Sequence, residues 1–198
     1  CLQESLEIAK KVGEYQFMAE TALMLGELFA EMGDYNEAER YLQESNNVYK
    51  SAEDTTSQLL EAYPDLVKLY LKTGQTEKAQ ELIDMIRKNA TEAMSKFIIP
   101  YADTLEAMLF REQKKWDEAI QYFEKGLQGY RSLNAQKWDV DKFAELLYEY
   151  GLVFLERNSE GDREKAYSLL DQALAVYQKM DAQKKIEKII AKKKLLTA

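Results

Sequence analysis

The chain has 198 residues, 46% of them hydrophobic and 31% charged, so it is long enough to bury a sizeable core and too apolar for a disordered tail. Eight glycines and two prolines leave little material for the tight turns of sandwiches and barrels, which predicts an all-α protein. The net charge of -8 argues against general nucleic-acid binding, and the lack of histidine with only one cysteine excludes disulfide frameworks, zinc sites and histidine-dependent triads.

Hydrophobic periodicity and turn residues predict ten helices along the chain. In order they cover residues 2–12, 15–32, 35–50, 54–72, 76–92, 95–113, 116–132, 139–157, 163–180 and 182–196. Pro64 and Pro100 fall inside two of these helices, where the missing backbone donor predicts a kink or a restart.

The predicted helices form a repeating pattern of helix, short turn and helix. Leu2-Gln3-Glu4-Ser5 recurs as Leu42-Gln43-Glu44-Ser45, an offset of 40 residues. Four alanines keep the same register, at steps of 41, 40 and 47 residues: Ala38, Ala79, Ala119 and Ala166. Three extra residues within 157–160 lengthen the last turn without changing the register. A period of this size indicates a stack of helical hairpins.

Two glycines within helices support the same register, because a helical glycine costs about 1 kcal/mol relative to alanine unless packing requires it. Gly26 and Gly151 occupy equivalent positions, and we expect the paired helix to approach them closely at Ala38 and Ala166.

Large, small and large residues on the first helix of each unit, followed by a small residue near the start of the second, complete the pattern. The four sets are Leu25, Gly26, Phe29 and Ala38; Leu66, Val67, Tyr70 and Ala79; Glu106, Ala107, Phe110 and Ala119; and Tyr150, Gly151, Phe154 and Ala166. This pattern resembles the tetratricopeptide repeat over essentially the full chain. Glu106 departs from the apolar expectation, which suggests a partly open position.

The resemblance implies an α-α superhelix of tetratricopeptide-type helical hairpins with a C-terminal capping helix. We expect one solenoid over residues 1–198, in which 1–13 is the second helix of a truncated repeat, 14–53, 54–94, 95–135 and 136–181 are repeats, and 182–198 is the cap. We expect the chain to be a fragment of a longer protein. The period of about 40 residues is similar to that of repeats in signalling ATPases, regulators and motor light chains.

The C-terminal segment from 182 to 198 carries six lysines against one glutamate. Ile186, Ile189 and Ile190 form an apolar stripe at helical spacing, as expected of a helix that covers the end of a stack. The alternative is a basic patch that contacts nucleic acid, an acidic protein or a membrane surface.

The family's function implies that first helices line a concave face that binds an extended peptide or a helix of a partner protein. Carrying over the inward-facing positions gives Glu20, Leu23, Glu27, Lys68, Leu71, Lys72, Tyr101, Thr104, Met108, Arg111, Tyr148 and Leu152. Leu23, Leu71 and Leu152 could instead pack between neighbouring repeats. The expected function is a protein-interaction scaffold within a larger regulatory or signalling protein, and self-association through the ends of the stack is the alternative.

An enzyme is the rival class, and the sequence offers little for it. There is no glycine-rich phosphate loop or calcium loop, and helix-start chemistry explains Asp139-Val140-Asp141 better than a metal site does. We therefore expect no catalytic residues, metal or cofactor. No apolar run approaches the roughly 18 residues of a membrane span, and the first residues lack the order of a signal peptide, so the expected location is the cytoplasm.

Overall fold

The computed structural model describes residues 2–134 and 139–197, and every regular element within them is helical. The helices are α1 (Leu2–Val12), α2 (Tyr15–Met32), α3 (Tyr35–Ser51), α4 (Thr55–Ser57), α5 (Tyr63–Lys72), α6 (Thr76–Asn89), α7 (Glu92–Glu112), α8 (Trp116–Ser132), α9 (Val140–Arg157), α10 (Asp162–Lys179) and α11 (Gln183–Thr197). The expected all-α class is confirmed. The repeat boundary predicted at 135/136 lies outside the described residues.

The chain divides into two compact units, Cys1–Ile98 and Ile99–Ala198. The division falls within α7, between Ile98 and Ile99 and one residue before Pro100. Helix α7 continues through Pro100, so the helix does not restart there as one alternative predicted.

The first unit is built around the α1, α2 and α3 helices. Leu6, Ala22, Leu25 and Tyr41 form a buried cluster, and the ring of Phe29 stacks on that of Tyr41 with centroids 5.5 Å apart. A Cβ atom added to Gly26 would lie 2.6 Å from Leu42 Cδ2 and 3.3 Å from the Ala38 carbonyl oxygen. The predicted close approach is therefore confirmed, with Leu42 as the nearest side chain.

The helix predicted over 54–72 is interrupted in the structure. After α4, residues Gln58–Ala62 form one π-helical turn, and α5 begins at Tyr63 with Pro64 in its first turn. Pro64 has no N–H to donate to the carbonyl four residues earlier, which accounts for the interruption of the α-helical hydrogen bonds before it and agrees with the predicted restart. Tyr49 donates from its hydroxyl to Glu61 at 2.8 Å, which holds the π turn against α3.

Proline also shapes the second unit, where α8 packs closely on α7. A Cβ atom added to Gly129 would lie 2.5 Å from Pro100 Cγ, and one added to Gly126 would lie 3.0 Å from the Pro100 carbonyl oxygen. Gly129 therefore provides the space that the proline ring occupies, and Gly126 lets α8 approach the backbone of α7.

The small residues that anchor the repeat pattern are fully buried: Ala38, Ala79, Ala119 and Ala166 each have 0% exposure. Gly151 repeats the arrangement of Gly26, since an added Cβ would lie 3.1 Å from Leu170 and 3.5 Å from the Ala166 carbonyl oxygen. The expectation that Glu106 is partly open was wrong. Its exposure is 7%, because α7 is buried on all sides from residue 101 to 109.

The lengthened loop between α9 and α10 is held by an ion pair. Asp162, which begins α10, accepts hydrogen bonds from Arg157 Nε at 2.9 Å, Arg157 Nη2 at 2.6 Å and the Ser159 backbone N–H at 2.9 Å. The bonds from Arg157 lower the pKa of this carboxyl below its ordinary value. Asn158 and Gly161 both have positive φ, which turns the chain between the two helices.

The predicted capping helix is α11, which packs on α10. Ile189 is 1% exposed and Ile186 is half-buried, whereas Ile190 is 39% exposed. Lys185 pairs with Asp141 of α9, and Lys193 pairs with Asp171 of α10. Lysines of α11 thus contact acidic residues of the same unit, as expected of a helix that covers the end of this unit.

Candidate functional site

In the first unit, the predicted binding residues divide into a buried and an accessible group. Leu23 and Leu71 are buried at 8% and 5% exposure, as the packing alternative proposed. Glu20, Glu27 and Lys72 are exposed. Lys72 donates from Nζ to the Ala30 carbonyl oxygen at 2.9 Å, which fixes its amine beside the end of α2. Polar groups of both signs are therefore available on this face.

Lys68, the remaining predicted residue of this unit, is half-buried. Its Nζ lies 3.2 Å from Asp65 one turn earlier on the same helix. The amine is thus anchored on α5, and part of its side chain remains accessible.

In the second unit, most of the predicted binding residues are buried. Five of them are 0–7% exposed: Tyr101, Thr104, Met108, Tyr148 and Leu152. The Tyr101 hydroxyl donates to Glu145 of α9 at 3.2 Å, and the Thr104 hydroxyl donates to the Pro100 carbonyl oxygen at 3.0 Å. The expectation that these aromatic side chains present open binding surface is not met, because the same positions join α7 to α9.

Arg111 ends this row of residues and forms the centre of an ionic cluster. Its guanidinium group donates to Glu149 of α9 and to Glu112 at 3.0 Å, and its Nε lies 3.6 Å from Glu156. Burial alone would lower the pKa of Arg111, but the surrounding carboxylates, Glu149 first, raise it above its ordinary value. Arg111 therefore stays charged, and it links α7 to α9.

Two further groups lie beside Arg111. Burial raises the pKa of Glu156, and the neighbouring carboxylates of Glu112 and Glu149 raise it further while Arg111 opposes them. Burial also raises the pKa of Tyr148, whose hydroxyl has no hydrogen-bond partner among the described residues. Lys188 of α11 lies 4.8 Å above the Tyr148 ring and covers it. Arg111 and Glu149 are thus largely covered, whereas Glu112 and Glu156 are exposed at the edge of the cluster.

The open surface of the second unit is a groove between the second helices, α8 and α10. The part between α8 and α10 has a volume of about 460 Å³, and an adjoining part of about 640 Å³ is lined by α8 and by Tyr150 of α9. The two parts share Glu124 and Tyr150, whose hydroxyl donates to the glutamate at 3.3 Å. The lining residues are Asp117, Ile120, Glu124, Leu127, Gln128, Arg131, Ser132, Tyr150, Phe154, Arg157, Lys165, Ser168 and Leu169.

This groove has an apolar interior and charged rims. Tyr150 and Phe154 of α9 line it with ring centroids 5.1 Å apart, but they are only 7% and 4% exposed. Ile120, Leu127 and Leu169 are half-buried and provide the accessible apolar surface. Burial raises the pKa of the Tyr150 phenol, and Glu124 adds to the effect, so this group stays neutral. The sequence analysis did not identify the groove. The groove could have been predicted from Ile120, Leu127 and Leu169, which are apolar residues on otherwise polar sides of α8 and α10.

A wider groove lies in the first unit, beside α3. Its volume is about 750 Å³, and the lining residues are Tyr15, Met18, Arg40, Gln43, Glu44, Asn47, Val48, Ser51 and Ala52. The Arg40 guanidinium lies 3.8 Å above the Tyr41 ring, and Glu44 pairs with Lys10 of α1 at 2.9 Å. Like the groove between α8 and α10, this groove combines apolar side chains with charged and amide side chains.

Neither a metal centre nor a membrane segment emerges from the part of the chain that the structure describes. Over residues 2–134 and 139–197, no three carboxylate or sulfur ligands come together in a way that could hold a metal ion. Within the same ranges, no helix combines the length and apolar character needed to cross a bilayer.

Comparison with solved structures shows the same architecture elsewhere. BtubC (BKLC) from P. vanneervenii superposes with a TM-score of 0.64 at 18% identity, over 99% of this chain and 88% of that one. The nearly identical TPR-like repeats of a putative Podosopora anserina kinesin light chain give a TM-score of 0.52 at 17% identity, over 90% and 85% of the two chains. A second crystal structure of those repeats, carrying a single substitution, gives 0.54 at 17% identity, over 91% and 85%. At 17–18% sequence identity, this similarity shows that the fold is shared.

Sequence comparison assigns the family. No curated protein matches the chain. A family model for the tetratricopeptide repeat matches residues 1–51 and 18–92, and a second model with the same description matches residues 107–134. These matches fall on the helical hairpins described above. The chain belongs to the tetratricopeptide repeat family.

Proposed function

We propose that this protein is a non-enzymatic scaffold that binds a helix or an extended peptide of a partner protein. Tetratricopeptide repeats generally mediate protein–protein interaction, which is the coarse function that the family gives. The observation that carries the more specific proposal is the groove between α8 and α10, where the half-buried Ile120, Leu127 and Leu169 lie between charged rims. Grooves of this chemistry accept the apolar side of an amphipathic segment.

The dimensions of the groove suit a short segment. Its lining follows α8 from Asp117 to Arg131, fourteen residues along the helix and therefore about 21 Å at 1.5 Å per residue. A partner helix of about 14 residues, or about 6 extended residues, spans this length. Asp117 and Glu124 line the groove together with Arg131 and Lys165, so a segment with both charge signs fits.

The first-helix face that the family resemblance implies remains part of the proposal in the first unit. Its accessible members are Glu27, Lys68 and Lys72. In the second unit we assign Tyr101 and Tyr148 to packing between first helices, because binding through them would require opening the Arg111 cluster. The two faces are therefore alternatives that mutagenesis distinguishes.

The cellular setting is also part of the proposal. We propose that the scaffold belongs to a larger regulatory or signalling protein and works in the cytoplasm. A chain with one cysteine does not depend on disulfides for its stability, which suits a reducing compartment.

The experiment is capture of binding partners on the immobilised protein, mapping of the retained peptide, and titration of that peptide against three double variants. Leu127→Ser with Leu169→Ser alters the groove, Glu27→Gln with Lys72→Gln alters the first-helix face, and Met85→Ser with Met180→Ser replaces two exposed methionines as the control. We expect the groove variant to weaken binding by about tenfold or more, since apolar anchors contribute most of such an interface, and the others to bind normally. Loss of binding in the first-helix variant alone would place the site on that face, and unchanged binding in both would refute the scaffold surfaces proposed.

A further inference from the structure

The groove between α8 and α10 is more basic than the protein as a whole. Five charged side chains line its two parts: Asp117, Glu124, Arg131, Arg157 and Lys165. Three of them are basic, although the net charge of the chain is -8. The partners that these five groups have within the protein decide which charges remain available to a ligand.

Both carboxylates of the groove already have partners. Asp117 lies 3.6 Å from Nη1 of Arg157, and Glu124 accepts the hydrogen bond from the Tyr150 hydroxyl at 3.3 Å. Arg157 in turn donates two hydrogen bonds to Asp162. These three charged groups of the groove therefore hold neighbouring parts of the second unit together.

The other two cations have no such partner. Lys165 Nζ lies 5.3 Å from the centroid of the Phe154 ring, and Arg131 is exposed on α8. Asp162 attracts Lys165 from a distance, but the hydrogen bonds of that carboxylate are made with Arg157 and the loop. Within residues 2–134 and 139–197, neither Lys165 nor Arg131 forms an ion pair. The uncommitted charge of the groove is thus positive.

The two uncommitted cations lie in different parts of the groove. Lys165 lines the part that contains Asp117, and Arg131 lines the adjoining part. From Asp117 to Arg131 the lining measures about 21 Å along α8. The half-buried Ile120 and Leu127 lie along this length. A ligand that follows the groove therefore meets a cation near each end and apolar side chains between them.

We infer that the groove binds an amphipathic helix of a partner protein that carries acidic side chains near both of its ends. Fourteen residues make close to four whole helical turns, about 21 Å, so two carboxylates at that spacing lie on the same side of a helix as its apolar residues. They reach Lys165 and Arg131 while the apolar residues cover Ile120, Leu127 and Leu169. The inference rests on the function proposed above and specifies the chemistry of the partner.

The test uses a synthetic helical peptide of about 18 residues with leucines on one side and two glutamates about fourteen residues apart. The control ligand has lysines in place of the two glutamates, and calorimetry follows the binding of each peptide to the whole chain. We expect the glutamate peptide to bind at least about tenfold more tightly. The overall charge of -8 alone would favour the lysine peptide, so equal binding or the reverse preference would overturn the inference.

Variants of the chain assign the preference to the two cations. Arg131→Gln with Lys165→Gln keeps the apolar lining and is expected to weaken the glutamate peptide about tenfold without weakening the lysine peptide. Lys88→Gln with Lys179→Gln changes the net charge equally at two exposed lysines outside the groove, and should bind normally. Unchanged binding of the glutamate peptide by Arg131→Gln with Lys165→Gln would overturn the inference.

Leu127→Ser with Leu169→Ser distinguishes a failure of this inference from a failure of the proposed function. If this variant weakens both peptides equally and the glutamine pair weakens neither, the groove binds a helix without selecting its charge, and only the inference is overturned. If neither pair of substitutions affects either peptide, the groove is not the site, and both are overturned. Dimers of the chain that Leu127→Ser with Leu169→Ser abolishes would also overturn the inference, since the occupant would then be a second copy.

Discussion

The contact between α8 and the proline of α7 gives a sharp quantitative prediction. Gly129→Ala adds a Cβ atom 2.5 Å from Pro100 Cγ and 2.8 Å from Pro100 Cβ. Two effects of the substitution oppose each other. Alanine in place of glycine within a helix stabilises by about 1 kcal/mol, whereas overpacking destabilises by about 1–3 kcal/mol. The proline ring is rigid and cannot move its atoms aside, so the cost is expected near the upper end of that range.

We therefore expect Gly129→Ala to lower the free energy of unfolding by about 2 kcal/mol. Gly151→Ala is the matched comparison in the same unit. Its added Cβ would lie 3.1 Å from Leu170 Cδ2, a distance that a shift of a few tenths of an ångström relieves. There the cost falls near the lower end of the range, so the net change is expected to be about zero.

The assay is urea unfolding of both variants and the wild type, followed by far-ultraviolet circular dichroism. A third variant, Pro100→Ala with Gly129→Ala, removes the ring atom closest to the new methyl group and should recover part of the lost stability. The reasoning is refuted if Gly129→Ala is as stable as the wild type, or if Gly151→Ala loses more stability than Gly129→Ala.

Three further predictions concern the register, the loop and the capping helix. Ala119→Leu is expected to destabilise the protein by about 1–3 kcal/mol through overpacking. Ala175→Leu, at an exposed position of α10, is the control and should change stability by less than about 0.5 kcal/mol. Equal melting temperatures of the two variants would contradict the register. Asp162→Asn should cost about 1–3 kcal/mol at neutral pH. Because folding lowers the pKa of Asp162, its contribution is complete above about pH 4 and is lost as the pH falls through the folded pKa, so unfolding curves of the two proteins should converge in acid. Ile189→Ala should cost about 2–5 kcal/mol and Ile190→Ala under about 1 kcal/mol, a ranking that thermal unfolding checks.

Helix positions and the register of the repeat could be predicted from the sequence because both follow from local patterns. Gly26 was identified as a packing glycine because its cost in a helix requires a reason. Gly126 and Gly129 were not identified as packing glycines, because the residue that they contact is Pro100 on another helix. A proline in a sequence indicates only a change in its own helix. The π turn before Pro64 could not be predicted for a similar reason. The sequence shows that Pro64 lacks a backbone donor, but it does not show how the helix accommodates that loss.

The candidate site was predicted less well, for a different physical reason. Periodicity placed Tyr101 and Tyr148 on one side of their helices but could not show what covers that side. Helices α7 and α9 are apolar on more than one side, so the neighbouring first helix takes the positions expected to bind a ligand. The position of α2 that corresponds to Tyr148 is Leu23, and it is buried as well, at 8% exposure.

The loop between α9 and α10 offers a practical use. Lengthening a loop costs little closure entropy. Each doubling of the loop's length costs about 0.6 kcal/mol of free energy, so each single added residue costs less. Ser159 and Glu160 are exposed, while the ends of the loop are fixed by the bonds between Arg157 and Asp162. An affinity tag or a fluorescent reporter inserted between Ser159 and Glu160 is therefore expected to leave both flanking helices in place, which gives a handle for following this protein that disturbs neither its grooves nor α2.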